Sequence, residues 1–217
     1  LCAAALCLAI APLWAGANPA GIDWQPLDGL QVARTETSVG QFRRFVTAES
    51  VVTQAERRGG GEVYEAGWVR KPGWTWRTPF GAPAADDEPA VHVTFDEAAA
   101  FCRWAGARLP KDAEWRAAAY TEQRGAPPAP FVRGRTYAYP LGDSPAGAIC
   151  LGDCGTAAQR LAVAHGATLL RGAGHAPVGR TPAGVNGLYD MGANAWEWVD
   201  QGTADGERLT RGGSWWY

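Results

Sequence analysis

The sequence carries no excess of either charge and few residues of the kinds that bind metals. Its 20 Lys and Arg residues nearly balance 22 Asp and Glu residues, so the formal net charge is only -2. Proteins that bind nucleic acid usually need a clear basic excess to neutralise phosphates, and we therefore expect no nucleic-acid partner. The three histidines, His92, His165 and His175, are scattered along the chain, and their spacing does not predict a zinc site.

The sequence also lacks the signatures of several common enzyme families. It shows no nucleophile elbow, no phosphate-binding loop and no Ser/His/Asp order. What it has in abundance is 11 Trp, 28 Gly and 15 Pro. Gly and Pro favour turns and loops, and each buried indole needs a partner for its N–H, so this composition indicates a loop-rich fold held by aromatic clusters. A chain of 217 residues is long enough for one sizeable core.

A long apolar run lies at the N-terminus. Residues 1–15 are apolar and uncharged, and the small residues 15–17 resemble a signal-peptidase site, so we predict a signal peptide over residues 1–17. This predicts export, either to the periplasm or out of the cell. Pro12 breaks the run before it reaches the length of a transmembrane helix, and no membrane span is expected after removal of the signal peptide. A buried N-terminal helix is the alternative interpretation of the same residues.

Removal of the signal peptide would leave three cysteines in an oxidising compartment. Cys150 and Cys154 are close in sequence and are the candidate disulfide pair. This pairing leaves Cys102 without a partner, which is unusual for an exported protein.

Helix-capping patterns predict the best-defined elements. Ser38 and Gln41 begin one helix, and Thr94 and Glu97 begin a second that runs to residue 105. A further helix follows Pro110 directly. Residues 47–89 show little periodicity and are expected to form a loop, whereas residues 91–93, 137–139, 195–199 and 209–215 are strand-like. The prediction is an irregular α+β domain with two main helices and short antiparallel strands.

Three stretches form a combination of motifs that is more specific than any of them alone. They are PAVHVTFDEAAAFCRWAGARLPKDAEWRAAA from Pro89, PVGRTPAGVNGLYDMGANAWEWV from Pro177 and RGGSWW from Arg211. A shorter match is ARTETSVGQFRRFV from Ala33. Together they resemble the formylglycine-generating enzyme, or sulfatase-modifying factor, family. The resemblance implies an elaborated C-type-lectin-like domain over residues 30–217 that continues beyond Tyr217, with residues 18–29 as a linker.

The resemblance raises a question about activity. The founding enzymes of the family oxidise a cysteine of sulfatases to formylglycine, using molecular oxygen and copper held by two cysteines. The first of those cysteines falls on Tyr217 in this sequence. A phenol is a poor ligand for Cu(I), which prefers thiolates, so we do not expect the family's copper site in this chain. Two hypotheses follow: an oxidoreductase acting on a protein or small molecule, or a non-enzymatic module that binds a protein, peptide or glycan.

The resemblance also implies a structural calcium ion. By position, Asp190 and Glu197 would supply side chains, and Ala193 and Ala195 would supply carbonyl oxygens. Calcium prefers this mixture of oxygen ligands, and two carboxylates close in sequence would repel each other unless a cation or donors lay between them. The alternative is that Asp190 caps a turn and Glu197 pairs with an arginine.

Two further residues match the lining of the family's catalytic pocket. They are Trp196 and Ser214, with Trp215, Trp216 and Tyr217 as candidate ligand contacts at the start of a variable surface. The alternative for Trp196 is an ordinary core position in a strand. For Cys102, the resemblance implies a bridge to a cysteine beyond Tyr217, whereas a small buried hydrophobe is the alternative.

Overall fold

The computed structural model describes residues 3–10, 18–64, 68–149 and 174–215. In these ranges the chain forms short strands and a few helices, joined by long ordered loops. The strands are β1 (Ala3–Ala4), β2 (Leu8–Ile10), β3 (Trp24–Leu27), β4 (Leu30–Ala33), β5 (Gly60–Tyr64), β6 (Trp68–Pro72), β7 (Trp196–Gly202) and β8 (Arg208–Arg211). The helices are α1 (Val39–Glu49), α2 (Gln54–Arg57), α3 (Phe95–Trp104) and α4 (Asp112–Tyr120).

The strands form three small sheets. One has the order β1-β7-β8, the second has the order β2-β4-β3, and the third is the hairpin β5-β6. The pairing is antiparallel except between β1 and β7, which are parallel. The predicted α+β class and the loop-rich character are therefore confirmed, with three helices of nine or more residues instead of two.

The capping patterns set the helix starts as expected. The Ser38 side chain accepts a hydrogen bond from the Gln41 backbone N–H, and the Gln41 side chain accepts one from the Ser38 N–H. Thr94 and Glu97 form the same reciprocal pair at α3. Each pair satisfies two backbone donors that a helix start would otherwise leave without partners.

An aromatic core joins α1 to α3. The ring of Phe42 lies 5.2 Å from Trp76 and 5.8 Å from Phe101, and Phe45 contacts Phe101 edge to face at 5.9 Å. All four side chains are buried. Burial of each phenylalanine contributes about 1.5–3 kcal/mol, so these contacts are a main source of the domain's stability.

The structure differs from the expected loop over residues 47–89. This stretch contains α2, which begins at a Thr53–Glu56 capping box, and the hairpin β5-β6. The hairpin lacks a strand signature because it opens with Gly60 and Gly61 and has a mostly exposed second strand. The pattern of alternating apolar residues that marks a half-buried strand is therefore missing.

Three predicted strands also need correction. Residues 91–93 do not form a strand because His92 has a φ of 58°, a left-handed conformation that interrupts extended backbone. Residues 137–139 make only isolated bridges at their edges. The last strand ends at Arg211 instead of continuing to residue 215, because Gly212 has a φ of 89°.

The N-terminal segment is part of the folded domain in this structure. β1 pairs with β7, β2 pairs with β4, and residues 3–8 are buried. Cys7 forms a disulfide with Cys102, so Cys102 has a partner that the predicted signal-peptide cleavage would remove. Residues 18–29, expected to be a linker, contain β3, which pairs with β4. Signal-peptide cleavage after residue 17 and the packing of the N-terminal segment against the domain are therefore alternatives.

The candidate disulfide pair, Cys150 and Cys154, lies outside the described residues.

The two alternatives differ in a measurable product. If the segment stays in the domain, peptide mapping of the protein purified from its source without reductant should yield one fragment containing both Cys7 and Cys102. Loss of this bridge in the Cys102→Ala variant should then lower the melting temperature. A disulfide that closes a loop of this length raises the free energy of the unfolded chain by about 4–5 kcal/mol, because it removes conformational entropy. A mature N-terminus near residue 18 would rule out the bridge.

Helix α4 allows a test of pH dependence. Lys111 precedes the helix and makes no side-chain cap, whereas Glu114 accepts from the Lys111 N–H at 2.8 Å and from both Arg108 terminal nitrogens at 2.7 Å. The hydrogen bonds from Arg108 lower the pKa of Glu114. A carboxylate with a lowered pKa in the folded state stabilises the fold above its unfolded pKa, and this contribution is lost as the pH falls through the folded value.

We expect Glu114→Gln to lower the free energy of unfolding by about 1 kcal/mol at pH 7, which is about 2–4 °C in melting temperature. The difference from the parent protein should shrink as the pH falls below about 4, where the parent carboxylate also takes up a proton. Thermal melts between pH 3 and 7 measure this, with the exposed Glu49→Gln as a control. A pH-independent difference would contradict this role for Glu114.

Candidate functional site

Three carboxylates from distant parts of the sequence are buried together beneath the loop before β7. Glu36, Asp190 and Glu197 are each at most 3% exposed. Burial raises the pKa of all three, and the charges of Asp190 and Glu197 raise the pKa of Glu36 further. Buried carboxylates of like charge need either protons or positive partners, so this cluster is the main electrostatic feature of the domain.

Glu36 connects the start of α1 to the loop before β7. Its Oε1 accepts a hydrogen bond from the Ala195 N–H at 2.8 Å, and its Oε2 accepts one from the Asn194 side-chain amide at 2.7 Å. The Asn194 side chain also exchanges hydrogen bonds with the backbone of Ala176. These contacts join three segments that are far apart in sequence and fix the course of the loop.

Asp190 shapes the neighbouring turn. Its Oδ2 accepts from the Gly179 N–H at 2.5 Å, and its Oδ1 accepts from the Thr181 N–H at 3.4 Å. Its own N–H donates to the Thr181 hydroxyl at 3.0 Å. The Asp190 carboxylate is thus engaged by backbone donors, as the alternative interpretation from the sequence expected of a capping residue.

Glu197 lies on the buried face of β7, while its neighbours Trp196 and Trp198 lie on the other face and are partly exposed. Its Oε2 accepts a hydrogen bond from the indole N–H of Trp115 at 2.6 Å. Its Oε1 is buried and has no hydrogen-bond donor among the described residues. The expected alternative of a pairing with an arginine is not observed, because the partner is Trp115.

Several oxygens converge at the position just after β8. A Cβ atom placed on Gly212 would lie 3.2 Å from the Met191 carbonyl oxygen, 3.4 Å from Glu197 Oε2 and 3.8 Å from the Ala195 carbonyl oxygen. Residue 212 is glycine and adds no side chain of its own at this point. Oxygens near one point favour a proton or a cation there, and one of these three, Glu197 Oε2, already accepts from the Trp115 indole.

The expected calcium ligands therefore fall into two groups. Glu197 and Ala195 meet at the point beside Gly212, together with the unexpected Met191 carbonyl. The Asp190 side chain faces backbone donors, and Ala193 is buried in a small cluster with Ala148. The described ranges contain no group of three or more His, Cys, Asp or Glu side chains that could hold a metal ion, so a cation here would depend on carbonyl oxygens.

The predicted pocket residue Ser214 directly precedes Trp215, which belongs to a second aromatic cluster. Ser214 is buried, and Trp215 packs edge to face against Phe80 at 5.7 Å. The backbone N–H of Trp215 donates to the Asn194 carbonyl. Trp215 is thus held in a cluster with Phe80, Ile149 and Ala176 instead of forming a surface rim. The other two candidates, Trp216 and Tyr217, lie outside the described residues.

A buried pair of a histidine and a glutamate supports this cluster. His175 Nε2 lies 2.8 Å from Glu88 Oε2, and the His175 ring lies 4.7 Å from the Phe80 ring. His92 also lies nearby, with its Nε2 at 2.9 Å from the Pro79 carbonyl and its ring 5.9 Å from Trp74. His175 and His92, two of the three histidines in the sequence, therefore both pack in the region around Phe80 and Trp74.

Sequence reasoning missed several features of the site. Glu36 and Asn194 were not predicted as site residues, and the pairing of Glu88 with His175 was not anticipated. The only local signal for Glu36 is a charged residue two positions before the N-cap of a helix, which is also a common surface pattern. Its burial results from contacts with residues about 158 positions away, which no local pattern contains.

The sequence of this chain matches known proteins of one family. Residues 22–217 match the model of the sulfatase-modifying factor enzyme 1-like domain. The formylglycine-generating enzyme of Mycobacterium tuberculosis is 39% identical over 136 residues, which cover 61% of this chain and 41% of that protein. The inactive C-alpha-formylglycine-generating enzyme 2 of Mus musculus is 30% identical over 205 residues, covering 80% and 59%.

A solved structure shows a similar fold. The structure of PvdO from Pseudomonas aeruginosa aligns with a TM-score of 0.52 at 19% identity, covering 98% of this chain and 80% of that one. This likeness supports the fold alone. The chain spans between 41% and 60% of the length of the first curated relatives it matches. The family match over residues 22–217 shows that the chain belongs to the sulfatase-modifying factor, or formylglycine-generating enzyme, family.

Proposed function

We propose that this chain is a calcium-stabilised, ligand-binding domain of the formylglycine-generating enzyme family. The observation that carries the proposal is the buried Glu197 carboxylate. Its Oε1 has no hydrogen-bond donor among the described residues, and its Oε2, which accepts from Trp115, lies beside Gly212 together with the Met191 and Ala195 carbonyls. Calcium accepts carboxylate and carbonyl oxygens together and would neutralise this group. Glu197, Ala195 and Met191 would hold the ion, and the family resemblance adds Asp190 and Ala193.

The ion would act on structure. Held at the point beside Gly212, it would connect the end of β8 to the loop before β7, and thereby to Ser214 and Trp215. These residues continue directly from Gly212 towards the cluster around Phe80. We propose that Trp196 and Ser214 face the ligand, and that the ligand is a peptide or small molecule.

Copper chemistry has less support in the described residues. Cys7 and Cys102 are the described cysteines, and they are joined to each other, so neither is a free thiolate for Cu(I). Cys2, Cys150, Cys154 and Tyr217 lie outside the described ranges. We derive no oxidative step through copper for this chain.

Oxidation remains the second candidate function. It is favoured by the relative from Mycobacterium tuberculosis, which carries the name formylglycine-generating enzyme. The mouse relative named inactive shows that similarity of this degree also occurs with a protein named as lacking that activity. Membership of the family therefore does not decide between oxidation and binding.

One proposal concerns location. A disulfide between Cys7 and Cys102 suits an oxidising compartment, and this favours the periplasm or the exterior for a protein that retains residues 1–17. In the described part of the chain, the helices are too short and too polar to cross a membrane.

We expect calcium to stabilise the domain. At a free calcium concentration about 100 times Kd, binding adds about 2.7 kcal/mol, or about 5–10 °C in melting temperature. Glu197→Gln should abolish this response because it removes the charge that attracts the ion, whereas the exposed Asp205→Asn should respond like the parent. Thermal melts with calcium or with chelator measure the effect, and equal melting in both conditions would overturn the calcium site.

A second readout does not depend on stability. Trp115 donates to Glu197 at 2.6 Å, so terbium bound at the calcium position should luminesce when tryptophan is excited. Calcium should displace this signal in the parent protein, and the signal should be lost in Glu197→Gln. Luminescence that persists in the variant would place the ion elsewhere.

We expect the chain to leave a cysteine peptide unoxidised. The parent protein, loaded with copper and supplied with oxygen and a reductant, should produce no aldehyde from a cysteine-containing peptide, as judged by mass spectrometry and hydrazide capture. The Mycobacterium tuberculosis relative is the positive control. Aldehyde formation by this chain at a comparable rate would establish oxidation and contradict the binding-only proposal.

A further inference from the structure

A groove lies between hairpin β5-β6 and hairpin β7-β8, and the proposed calcium ligands Glu197, Ala195 and Met191 are not among the residues that line it. Hairpin β5-β6 forms one wall, hairpin β7-β8 forms the other, and the first turn of α3 forms part of the floor. Its volume is about 730 Å³, which falls within the range of sites that bind small molecules. Residues that define it include Arg58, Glu62, Trp68, Phe95, Trp198 and Arg208. We call it the hairpin groove.

Aromatic side chains present flat surfaces in the hairpin groove. Trp68 is 56% exposed, which is unusual for a residue that contributes so much apolar area. Trp198 is fixed in place because its indole N–H donates to the Val93 carbonyl at 3.1 Å and its ring contacts Phe95 edge to face. The groove therefore offers one exposed and one fixed indole.

The wall that carries Trp68 is held close to the rest of the domain. A Cβ atom on Gly60 would lie 2.2 Å from the Lys71 carbonyl oxygen, and one on Gly61 would lie 2.4 Å from His92 Nδ1. Real side chains do not fit at such distances, so both positions require glycine. The close contact of Gly61 with His92 fixes the base of the hairpin and sets the orientation of the wall.

The polar side chains of the groove supply both donors and acceptors. Arg208 lies with its guanidinium 4.1 Å from the centre of the Phe95 ring, and Arg58 lies 3.9 Å from Glu62. Asp96 and Glu207 add further carboxylates to the lining. A groove for a charged ligand would carry mainly one sign of charge, whereas this mixture suits a neutral ligand with many hydroxyl groups.

The strand register argues against a peptide added as a further strand. Glu62 pairs with Arg70 across the hairpin, and Trp68 lies two residues from Arg70, so all three share one face of the sheet. Since Glu62 and Trp68 line the groove, a ligand there meets the face of the hairpin. The backbone donors and acceptors that a peptide strand needs point along the edges instead.

We propose that the hairpin groove binds a neutral oligosaccharide, whose sugar rings stack on Trp68 and Trp198. The apolar faces of sugar rings pack on indoles, and the ring hydroxyls both donate and accept, which matches the carboxylates and guanidinium groups of the lining. The proposal goes beyond the calcium-stabilised domain proposed above. Glu197, Ala195 and Met191 do not line the groove, so each proposal can fail without the other.

The test uses the full chain and four soluble hexasaccharides: maltohexaose, cellohexaose, xylohexaose and chitohexaose. We expect at least one to change the tryptophan fluorescence in a saturable way, with affinity confirmed by calorimetry. Trp68→Ala should weaken that binding about tenfold or more, equivalent to ~1.4 kcal/mol. Val69→Ala is the matched control, because Val69 is also exposed but lies on the opposite face of the hairpin, and it should bind like the parent.

Three outcomes would contradict binding of an oligosaccharide in the hairpin groove. Absence of binding by all four saccharides at about 10 mM, a concentration that detects even millimolar affinity, would overturn the proposal. Equal weakening by both variants would also overturn it, since the site would then not depend on the Trp68 face. Binding of random decapeptides that depends on Trp68, without saccharide binding, would assign the groove to peptides. Unchanged melting of Trp68→Ala shows that the variant is folded.

Discussion

The burial of charge beneath the loop before β7 is the constraint on which the rest of the domain depends. Glu36, Asp190 and Glu197 come from separate parts of the sequence, and the described residues that are buried include no Lys or Arg. Each is held by donors from a different source: Asn194 and the loop backbone for Glu36, backbone N–H groups for Asp190, and an indole for Glu197. Loss of any one set of donors would leave a buried carboxylate uncompensated, which costs several kcal/mol.

The buried carboxylates also fix the course of the loop that contains Asp190 and Asn194. Asp190 and Asn194 both adopt left-handed backbone conformations, with φ of 61° and 69°. Asp and Asn tolerate this conformation better than most residues. In Asp190 and Asn194, the backbone conformation and the side-chain hydrogen bonds therefore both stabilise the same loop. The loop around them is ordered without regular secondary structure because its polar groups find partners in Glu36, Thr181 and Ala176.

The parts of the structure that depend on neighbours in sequence could be predicted. The starts of α1 and α3 follow from Ser38 with Gln41 and from Thr94 with Glu97, since a capping box needs residues only three positions apart. The β5-β6 hairpin could not be predicted, because its glycines are selected by close contact with His92 and Lys71, not by strand propensity. The burial of Glu36 and the pairing of Glu88 with His175 likewise arise only when distant segments meet. The calcium ligands inferred from the resemblance divide in the same way. Oxygens of Ala195 and Glu197 both lie beside Gly212, whereas the Asp190 side chain accepts hydrogen bonds from backbone N–H groups.

The parallel contact between β1 and β7 has a consequence for how the protein is made. Ala3 lies beside Trp196, and Glu36 accepts a hydrogen bond from Asn194, so the first and last described segments close the same core. Contacts between residues so far apart in sequence form slowly, because a long chain must lose its freedom before they stabilise anything. During translation at about 5–20 residues per second, β1 would remain unpaired for many seconds until β7 leaves the ribosome, whereas β2 can pair with β4 much earlier. The apolar residues of β1 are therefore exposed to chaperones, or to the export machinery, throughout that interval.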